Sequence, residues 1–263
     1  MKILLLLLAC AAAAGLPPED RRGTLRVRRY FEPVPAFGIT HACVVEADPA
    51  DFSFRTLGAP RATGGRKATA LEVRRRLPDA ALIINAGFFS LKDGAPIGEY
   101  VEAGRRPERV LYSPGRHLDR IFTAWDDGGV DVLAGRETLS DEQLARAASA
   151  VTGKSAWPDS DTATNRTALC LTRGGKVLLA AVYPVRTVEA MLRYMESEGC
   201  IPQKTASLDG GGSTQLSFWS GGSYWNLGWE RKGETVPECH LRGDNRDARC
   251  YRPVGNFLVV EGK

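Results

Sequence analysis

The sequence is poor in the residues that metal, nucleotide and nucleic-acid chemistry require. Its three histidines, His41, His117 and His240, are far apart, so no histidine cluster is available for a metal ion. It has no C-x-x-C pair, no G-x-x-x-x-G-K-[ST] phosphate loop and no G-x-S-x-G nucleophile motif. The net charge is only +4, and the arginine runs are short and lack interleaved aromatics. We therefore predict no metal, no other cofactor and no nucleic-acid partner.

Long apolar runs are also absent after the N-terminus. The chain opens with Met1-Lys2, a short apolar run over residues 3–9 and small residues up to Ala14. This pattern is typical of a secretory signal and is too short to span a bilayer. We predict a signal peptide over residues 1–14 and export to the periplasm or the extracellular space. Leu7-Leu8-Ala9-Cys10 also resembles a lipoprotein processing site, so a lipid anchor at Cys10 is an alternative and the only membrane attachment expected.

Five cysteines remain downstream of Cys10, and an oxidising compartment would favour disulfides among them. Cys239 and Cys250 flank a polar loop, and we predict a disulfide between them. A metal site formed by these two cysteines and His240 is disfavoured because the ligand spacing is wrong. Cys170 with Cys200 is a possible second bridge, which would leave Cys43 unpaired.

Short strand-like segments with a few helices between them predict a single α+β domain over residues 24–263. We expect mixed, largely antiparallel sheets, a few packed helices and a glycine-rich active-site turn. Strands are predicted over residues 25–31, 38–46, 52–57, 81–84, 98–102, 120–124, 130–133, 166–172, 176–183, 205–208, 215–219 and 253–260. Capping residues predict helices that start after Thr69, Ser140 and Thr187 and end near Pro78, Val151 and Gly199. In the third helix, Met191 and Met195 are expected to fill the core.

Three polar clusters follow or begin apolar strands without being needed for a core. In Asn85-Ala-Gly-Phe-Phe89, the amide of Asn85 and the backbone at Gly87 can face one cleft, although a tight turn also explains them. In Asn165-Arg166-Thr167, a buried arginine needs an acidic partner or an anionic ligand, so a phosphate and a structural ion pair are both open.

The third cluster is Asp209-Gly210-Gly211-Gly212-Ser213-Thr214. Glycines after a strand can gather backbone N–H groups into an anion-binding nest, and Ser213 and Thr214 add hydroxyl donors. Asp209 would lie at its rim. A glycine-rich hairpin with no binding role is the alternative.

In order and rough spacing, NAGFF, NRTALCLTRGGKVLLAAV and SLDGGGSTQLSF resemble the phosphodiester glycosidase family. The closing RPVGNFLVV, with Asn256, is also similar to the end of that family, and the likeness extends over residues 38–260. The resemblance implies cleavage of the sugar C1–O bond of a sugar-1-phosphodiester or an envelope glycoconjugate. A phosphomonoester is an easy leaving group, so stabilising its charge can replace much of the work of a general acid.

The resemblance also implies roles for the clustered residues. Asp209 is the expected nucleophile or the base that activates water, and Arg166, the amides of Gly210 to Gly212 and Ser213 would stabilise the leaving phosphate. Asn85 would orient a substrate oxygen, Glu99 is a candidate second carboxylate, and the remaining substrate contacts would come from Gly87, Thr167 and Thr214.

Two other functions remain open on the sequence alone. One is a non-catalytic carbohydrate-binding protein of the cell envelope, with sugar-stacking aromatics at Trp219, Tyr224, Trp225 and Trp229. The other is a phosphodiesterase that cuts P–O, which the shortage of histidines disfavours.

Overall fold

A computed structural model describes residues 25–112, 118–156, 163–228 and 252–263. The strands in these ranges are β1 Arg26–Val34, β2 Ile39–Ala47, β3 Phe52–Gly58, β4 Leu82–Asn85, β5 Tyr100–Val101, β6 Arg120–Trp125, β7 Val130–Ala134, β8 Ala147–Gly153, β9 Thr164–Thr172, β10 Val177–Val185, β11 Cys200–Ser207, β12 Gln215–Ser220, β13 Ser223–Gly228 and β14 Asn256–Gly262. The helices are α1 Ala59–Thr63, α2 Ala70–Arg76, α3 Asp141–Arg146 and α4 Val188–Ser197. The predicted α+β class is confirmed.

The named strands form three sheets, with antiparallel pairing between neighbours. The first sheet has the order β1-β2-β10-β9-β11, the second β13-β12-β4-β14-β3 and the third β5-β8-β6-β7. All three sheets contribute side chains to one central core, among them Val45 and Leu169 from the first, Ile84 and Leu258 from the second and Phe122 from the third. Burial of this shared core fixes the sheets against one another.

Helices α2 and α4 cover faces of different sheets. Ala70 and Val73 of α2 belong to a buried cluster with Ile83 of the second sheet. Met191 and Met195 of α4 are fully buried in a cluster with strands of the first sheet, which confirms them as core residues. No helix of the described ranges is long and apolar enough to cross a membrane.

The sequence prediction was wrong for the segment after Ser140. The expected capping box is present, with Ser140 and Gln143 in reciprocal hydrogen bonds, but α3 ends at Arg146 rather than near Val151. The chain continues as β8, which is paired with both β5 and β6. Ala, Ser and Val over residues 147–151 fit either a helix or a strand, so pairing with the sheet decides their conformation.

A disulfide joins Cys170 and Cys200, the ends of the bridge that sequence analysis gave as possible. Cys43 is free and buried, and burial raises the pKa of its thiol. The predicted signal over residues 1–14, with Cys10, and the predicted Cys239–Cys250 disulfide lie outside the described residues, as does Trp229.

Candidate active site

The glycine-rich segment is the crossing between the first and second sheets. Strand β11 of the first sheet leads to Asp209, a 3₁₀ turn spans Gly211–Ser213, and β12 of the second sheet follows. The N–H of Leu208 donates to Thr167 O at 2.9 Å, and the N–H of Asp209 donates to Ala86 O at 3.1 Å. Backbone bonds to both sheets therefore fix the position of Asp209.

Two of the glycines are required by this path. Gly211 has φ +61°, the left-handed region that side chains disfavour. A Cβ at Gly210 would lie 2.8 Å from the backbone oxygen of Asn165, which is too close. The glycines thus allow the crossing chain to run directly against β9.

Asn85, at the end of β4, is the polar centre of this crossing. Its Nδ2 donates to the backbone oxygen of Asp209 at 2.7 Å. Its Oδ1 accepts from Thr167 Oγ1 at 2.8 Å and from Gln215 N at 3.0 Å. Thr167 Oγ1 also lies 3.3 Å from Thr214 Oγ1, so three predicted site residues share one buried network. This geometry makes Asn85 a positioning residue for Asp209.

Asp209 is half-buried and lines a pocket. Its Oδ1 accepts the N–H of Gly210 at 3.0 Å, and Ser213 donates a further hydrogen bond. Burial raises the pKa of Asp209, and Ser213, Arg252 and Lys154 partly oppose that rise. A carboxylate with a raised pKa among cations has the properties of a general base or nucleophile.

Lys154 and Arg252 are the two cations whose charge acts on Asp209, and sequence analysis missed both. Lys154 is buried, with its ammonium 4.6 Å from the ring centroid of Phe88, and its backbone is paired with Ser207 next to the crossing. Arg252 lines the pocket, and its backbone oxygen accepts from Gln215 Nε2 at 2.9 Å. Lys154 stands in no recognisable motif, and Arg252 opens the closing RPVGNFLVV segment without any local signal that places it near Asp209, so the fold is needed to assign both.

The pocket in front of Asp209 has a volume of about 450 Å³. Its polar side carries Asp209, Ser213 and Arg252, and its opposite side is largely apolar. The lining residues are Phe88, Phe89, Ser90, Leu91, Ile97, Leu111, Asp209, Ser213 and Arg252. A charged end and an apolar wall in a space of this size suit a small ligand that carries an anionic group.

Arg166 is buried at the head of β9, as predicted, and its guanidinium donates to backbone carbonyls. Its Nε donates to Val185 O at 3.3 Å and its Nη2 donates to Arg186 O at 2.8 Å. Burial lowers the pKa of Arg166, and the nearby Glu189 opposes that shift. The described residues lining the Asp209 pocket do not include Arg166.

The buried Glu99 forms an ion pair with the more exposed Arg106. Its carboxylate accepts hydrogen bonds from Nε and Nη2 of Arg106, each at 2.7 Å, and from the N–H of Leu139 at 2.8 Å. It is not among the described residues that line the Asp209 pocket. These contacts give Glu99 a structural use, joining the third sheet to the loop before α3.

The other predicted contacts lie around the crossing. Gly87 packs against β8 so closely that a Cβ would be 2.5 Å from Val151 Cγ2. The N–H groups of Ser213 and Thr214 close the 3₁₀ turn onto Gly210 O and Gly211 O. Within the described residues, the N–H groups of Gly211 and Gly212 have no hydrogen-bond acceptor. Gly212 is buried, and neither glycine is among the described residues that line the Asp209 pocket.

The described ranges contain no group of three or more histidine, cysteine, aspartate or glutamate side chains placed to hold a metal ion. The charges at Asp209 are instead balanced by the two basic side chains.

Comparison with known proteins supports the resemblance seen in the sequence. A family model described as phosphodiester glycosidase matches residues 78–261, which include Asn85, Lys154, Asp209 and Arg252. No curated protein matched the chain.

Two solved structures share the fold. The catalytic domain of zebrafish N-acetylglucosamine-1-phosphodiester alpha-N-acetylglucosaminidase, auto-inhibited by its pro-peptide, aligns with a TM-score of 0.58 and 13% identity over 91% of this chain and 83% of that one. A hypothetical protein from Synechocystis aligns with a TM-score of 0.50 and 14% identity over 85% of this chain and 59% of that one. At these identities the likeness shows the fold alone.

Proposed function

Because the chain belongs to the phosphodiester glycosidase family, we propose that it hydrolyses the C1–O bond of a sugar-1-phosphodiester. The products are a free sugar and a phosphomonoester. The observation that carries this proposal is the arrangement at Asp209, where a carboxyl of raised pKa, a serine hydroxyl and the guanidinium-bearing Arg252 line one pocket, while the charge of Lys154 acts on the same carboxyl from outside the lining.

The leaving group determines which catalytic groups are needed. An ordinary glycosidase must protonate a departing alkoxide and needs a carboxylic acid of raised pKa beside a second carboxylate. A phosphomonoester leaves as an anion whose second pKa is about 6, so it requires charge stabilisation more than protonation. One carboxylate with adjacent cations is therefore a sufficient set of groups.

Asp209 acts as the nucleophile at C1 or as the base that takes a proton from the attacking water. The hydrogen bonds from Gly210 N–H and Ser213 orient its carboxyl group, and the positive charges of Lys154 and Arg252 favour its ionised form. Burial raises the pKa of Asp209 and so makes its carboxylate more basic than an exposed one, which suits proton abstraction.

Lys154 and Arg252 hold the phosphate in this proposal. The charges of both act on Asp209, whereas the guanidinium of Arg166 donates to backbone carbonyls of β10 and the following residue. A charged clamp on the phosphate stabilises the negative charge that develops as the C1–O bond breaks.

We also propose that the protein works outside the cytoplasm. The Cys170–Cys200 disulfide is typical of chains that fold in an oxidising compartment. The signal-like N-terminus agrees with this localisation, and a sugar-phosphate or glycoconjugate of the cell envelope is the corresponding substrate.

Hydrolysis of a sugar-1-phosphodiester in ¹⁸O-labelled water tests the reaction. Label in the sugar supports the proposal, label in the phosphate would mean P–O cleavage, and no turnover would point to a binding protein. Asp209→Asn should lower turnover by on the order of a thousandfold or more while the product phosphomonoester still binds. Asp127→Asn, which removes a mostly exposed carboxylate distant from the pocket lining, is the matched control and should retain activity.

The phosphate clamp has its own test. Lys154→Met keeps an apolar stem beside Phe88 but removes the charge, so it should reduce cleavage of the phosphodiester far more than cleavage of a neutral aryl glycoside. The variant Arg166→Lys tests the alternative that Arg166 binds the phosphate. If only Arg166→Lys shows the phosphate-specific loss, the phosphate is held by Arg166 instead.

A further inference from the structure

A second cavity, of about 610 Å³, lies beside the Asp209 pocket. Two segments of the chain line both spaces. The hairpin over residues 88–97 contributes Phe88 to Leu91 and Ile97 to the Asp209 pocket, and Lys92 to Pro96 to the second cavity. Likewise, Arg252 lines the first space and Gly255 the second. The two spaces are therefore neighbours on either side of one hairpin.

The rim of the second cavity carries an excess of basic side chains. Its lining includes the four cations Arg61, Arg66, Lys92 and Arg109, and the three acids Asp93, Glu102 and Glu108. Arg109 pairs with Asp93 at 2.9 Å, and Arg61 lies 3.6 Å from Glu102. In the described part of the chain, neither Arg66 nor Lys92 makes an ion pair. The rim thus keeps two cations available for an anionic ligand.

Two residues of the cavity lining, Tyr100 and Glu102, carry oxygen atoms that are shielded from solvent and lack a well-formed hydrogen bond within the described residues. Tyr100 is buried, and its hydroxyl lies beside Glu102 and Thr56 without a well-formed hydrogen bond in the described residues. Glu102 Oε2 accepts the N–H of Gly58 at 3.1 Å, but its Oε1 has no hydrogen-bond donor there. Buried oxygens without partners are rare in folded proteins, and ligands are one common explanation.

The shape of the cavity also suits a sugar. Apolar ring faces at Pro60, Pro96 and Pro107 line it beside the phenol of Tyr100. The CH face of a sugar packs on such surfaces, while its hydroxyls can donate to a carboxylate. Arg61, whose side chain is 63% exposed, lies next to Glu102 Oε1 and can move aside for a ligand hydroxyl.

We propose that this cavity is an accessory site for an anionic sugar residue of the same glycoconjugate whose phosphodiester is cleaved at Asp209. The ammonium of Lys92 and the guanidinium of Arg66 bind the carboxylate or phosphate of that residue, and its hydroxyls reach Glu102 and Tyr100 when the side chain of Arg61 moves aside. The connection to cleavage rests on the proposed function, but binding in the cavity does not. The substrate class is then an acidic oligosaccharide rather than a single sugar phosphodiester.

Titration calorimetry with a tetrasaccharide of uronic acid residues tests the site. The measurement uses the Asp209→Asn protein as background, because this substitution prevents turnover during the titration. The double variant Arg66→Ser, Lys92→Ser should bind it about tenfold or more weakly, because two charge-assisted contacts are lost. The matched control Arg75→Ser, Arg76→Ser removes two exposed arginines of α2 and should bind normally. Tyr100→Phe should also weaken binding, whereas a neutral glucose tetrasaccharide should bind poorly to every form.

Equal affinities for the two double variants, or no binding of the acidic tetrasaccharide, would overturn the accessory site. Inorganic phosphate provides a further arm: if it binds as tightly as the tetrasaccharide, the cavity recognises a small anion and not a sugar. The same double variant should keep kcat/KM for a short sugar-1-phosphodiester. A protein that binds the acidic tetrasaccharide but cleaves no phosphodiester would refute the proposed reaction and leave the accessory site in place.

Discussion

Replacing Asn85 by alanine is the sharpest test of how the crossing segment is held. The change removes the donor to Asp209 O and the acceptor of Thr167 Oγ1 and Gln215 N. Thr167 can turn its hydroxyl toward Thr214, 3.3 Å away, but the other two groups are left buried and unpaired. Each such group costs about 1–3 kcal/mol, so the free energy of unfolding should fall by roughly 2–6 kcal/mol.

Urea denaturation measures this loss of stability. In a separate assay without urea, at a temperature well below the melting point, nearly all molecules are folded and kcat reports on the folded protein. Because Asp209 loses its backbone anchor, we expect kcat to fall as well. Asn85→Asp should rescue neither property, since a carboxylate oxygen would face the carbonyl oxygen that now lies 2.7 Å from Nδ2. Gln203→Ala, which removes an exposed amide of β11, is the control and should stay within about 0.5 kcal/mol of wild type.

The outcome separates two roles for Asn85. A large loss of kcat with less than about 1 kcal/mol loss of stability would refute the positioning argument. It would return Asn85 to the role that sequence analysis gave it, as a direct contact of the substrate.

Three further predictions concern the same region and its support. Gly211→Ala should lower stability by about 1–2 kcal/mol because of its positive φ, and Gly211→Asn by less; equal melting temperatures for all three proteins would contradict the required backbone conformation. Replacing Cys170 and Cys200 by serine should lower the free energy of unfolding by about 3–4 kcal/mol, because the disulfide restricts the unfolded chain across a 30-residue separation. If reductant leaves the urea midpoint of the wild type unchanged, this prediction is wrong. Because burial raises the pKa of Asp209, the folded state holds this proton more tightly than the unfolded chain, so this group lowers stability as pH rises from about 4 through the raised folded pKa. The melting-temperature advantage of Asp209→Asn should therefore widen over that range, and a constant difference would argue against a raised pKa.

Local signals in the sequence were sufficient to predict most of the helices and strands. Thr187 and Gly199 bracket α4, and Thr69 begins α2 through the expected capping box. These signals depend on side chains within one turn of the element, so no knowledge of the tertiary structure is needed. One such signal was overlooked: Gly221-Gly222 forms the two-residue turn between β12 and β13, and a glycine pair between strand-like runs favours a hairpin.

The residues of the candidate site that lie in the sequence motifs could be predicted, but the basic side chain that the fold brings to them could not. The glycines, Asn85 and Asp209 follow from motif and turn chemistry, whereas Lys154 directly follows β8, just beyond the segment interpreted as helix up to Val151. The placement of Lys154 near Asp209 depends on the pairing of Lys154 with Ser207, a contact between residues far apart in sequence. No local pattern reports such a contact.

The crossing segment also determines when the protein becomes active during folding. The hydrogen bond between Asn85 and Asp209 closes a loop of 124 residues, and it links strands of two different sheets. Contacts so distant in sequence form late, because the entropy of closing long loops must be overcome first. Hairpins between consecutive strands, such as β9 with β10 and β12 with β13, can form before such distant contacts. The carboxyl group reaches its working position only when both sheets are complete and docked, which also requires distant strand pairings such as His41 with Tyr183. Recovery of catalysis after dilution from denaturant should consequently lag behind recovery of strand signal in circular dichroism, which makes turnover a reporter of completed assembly.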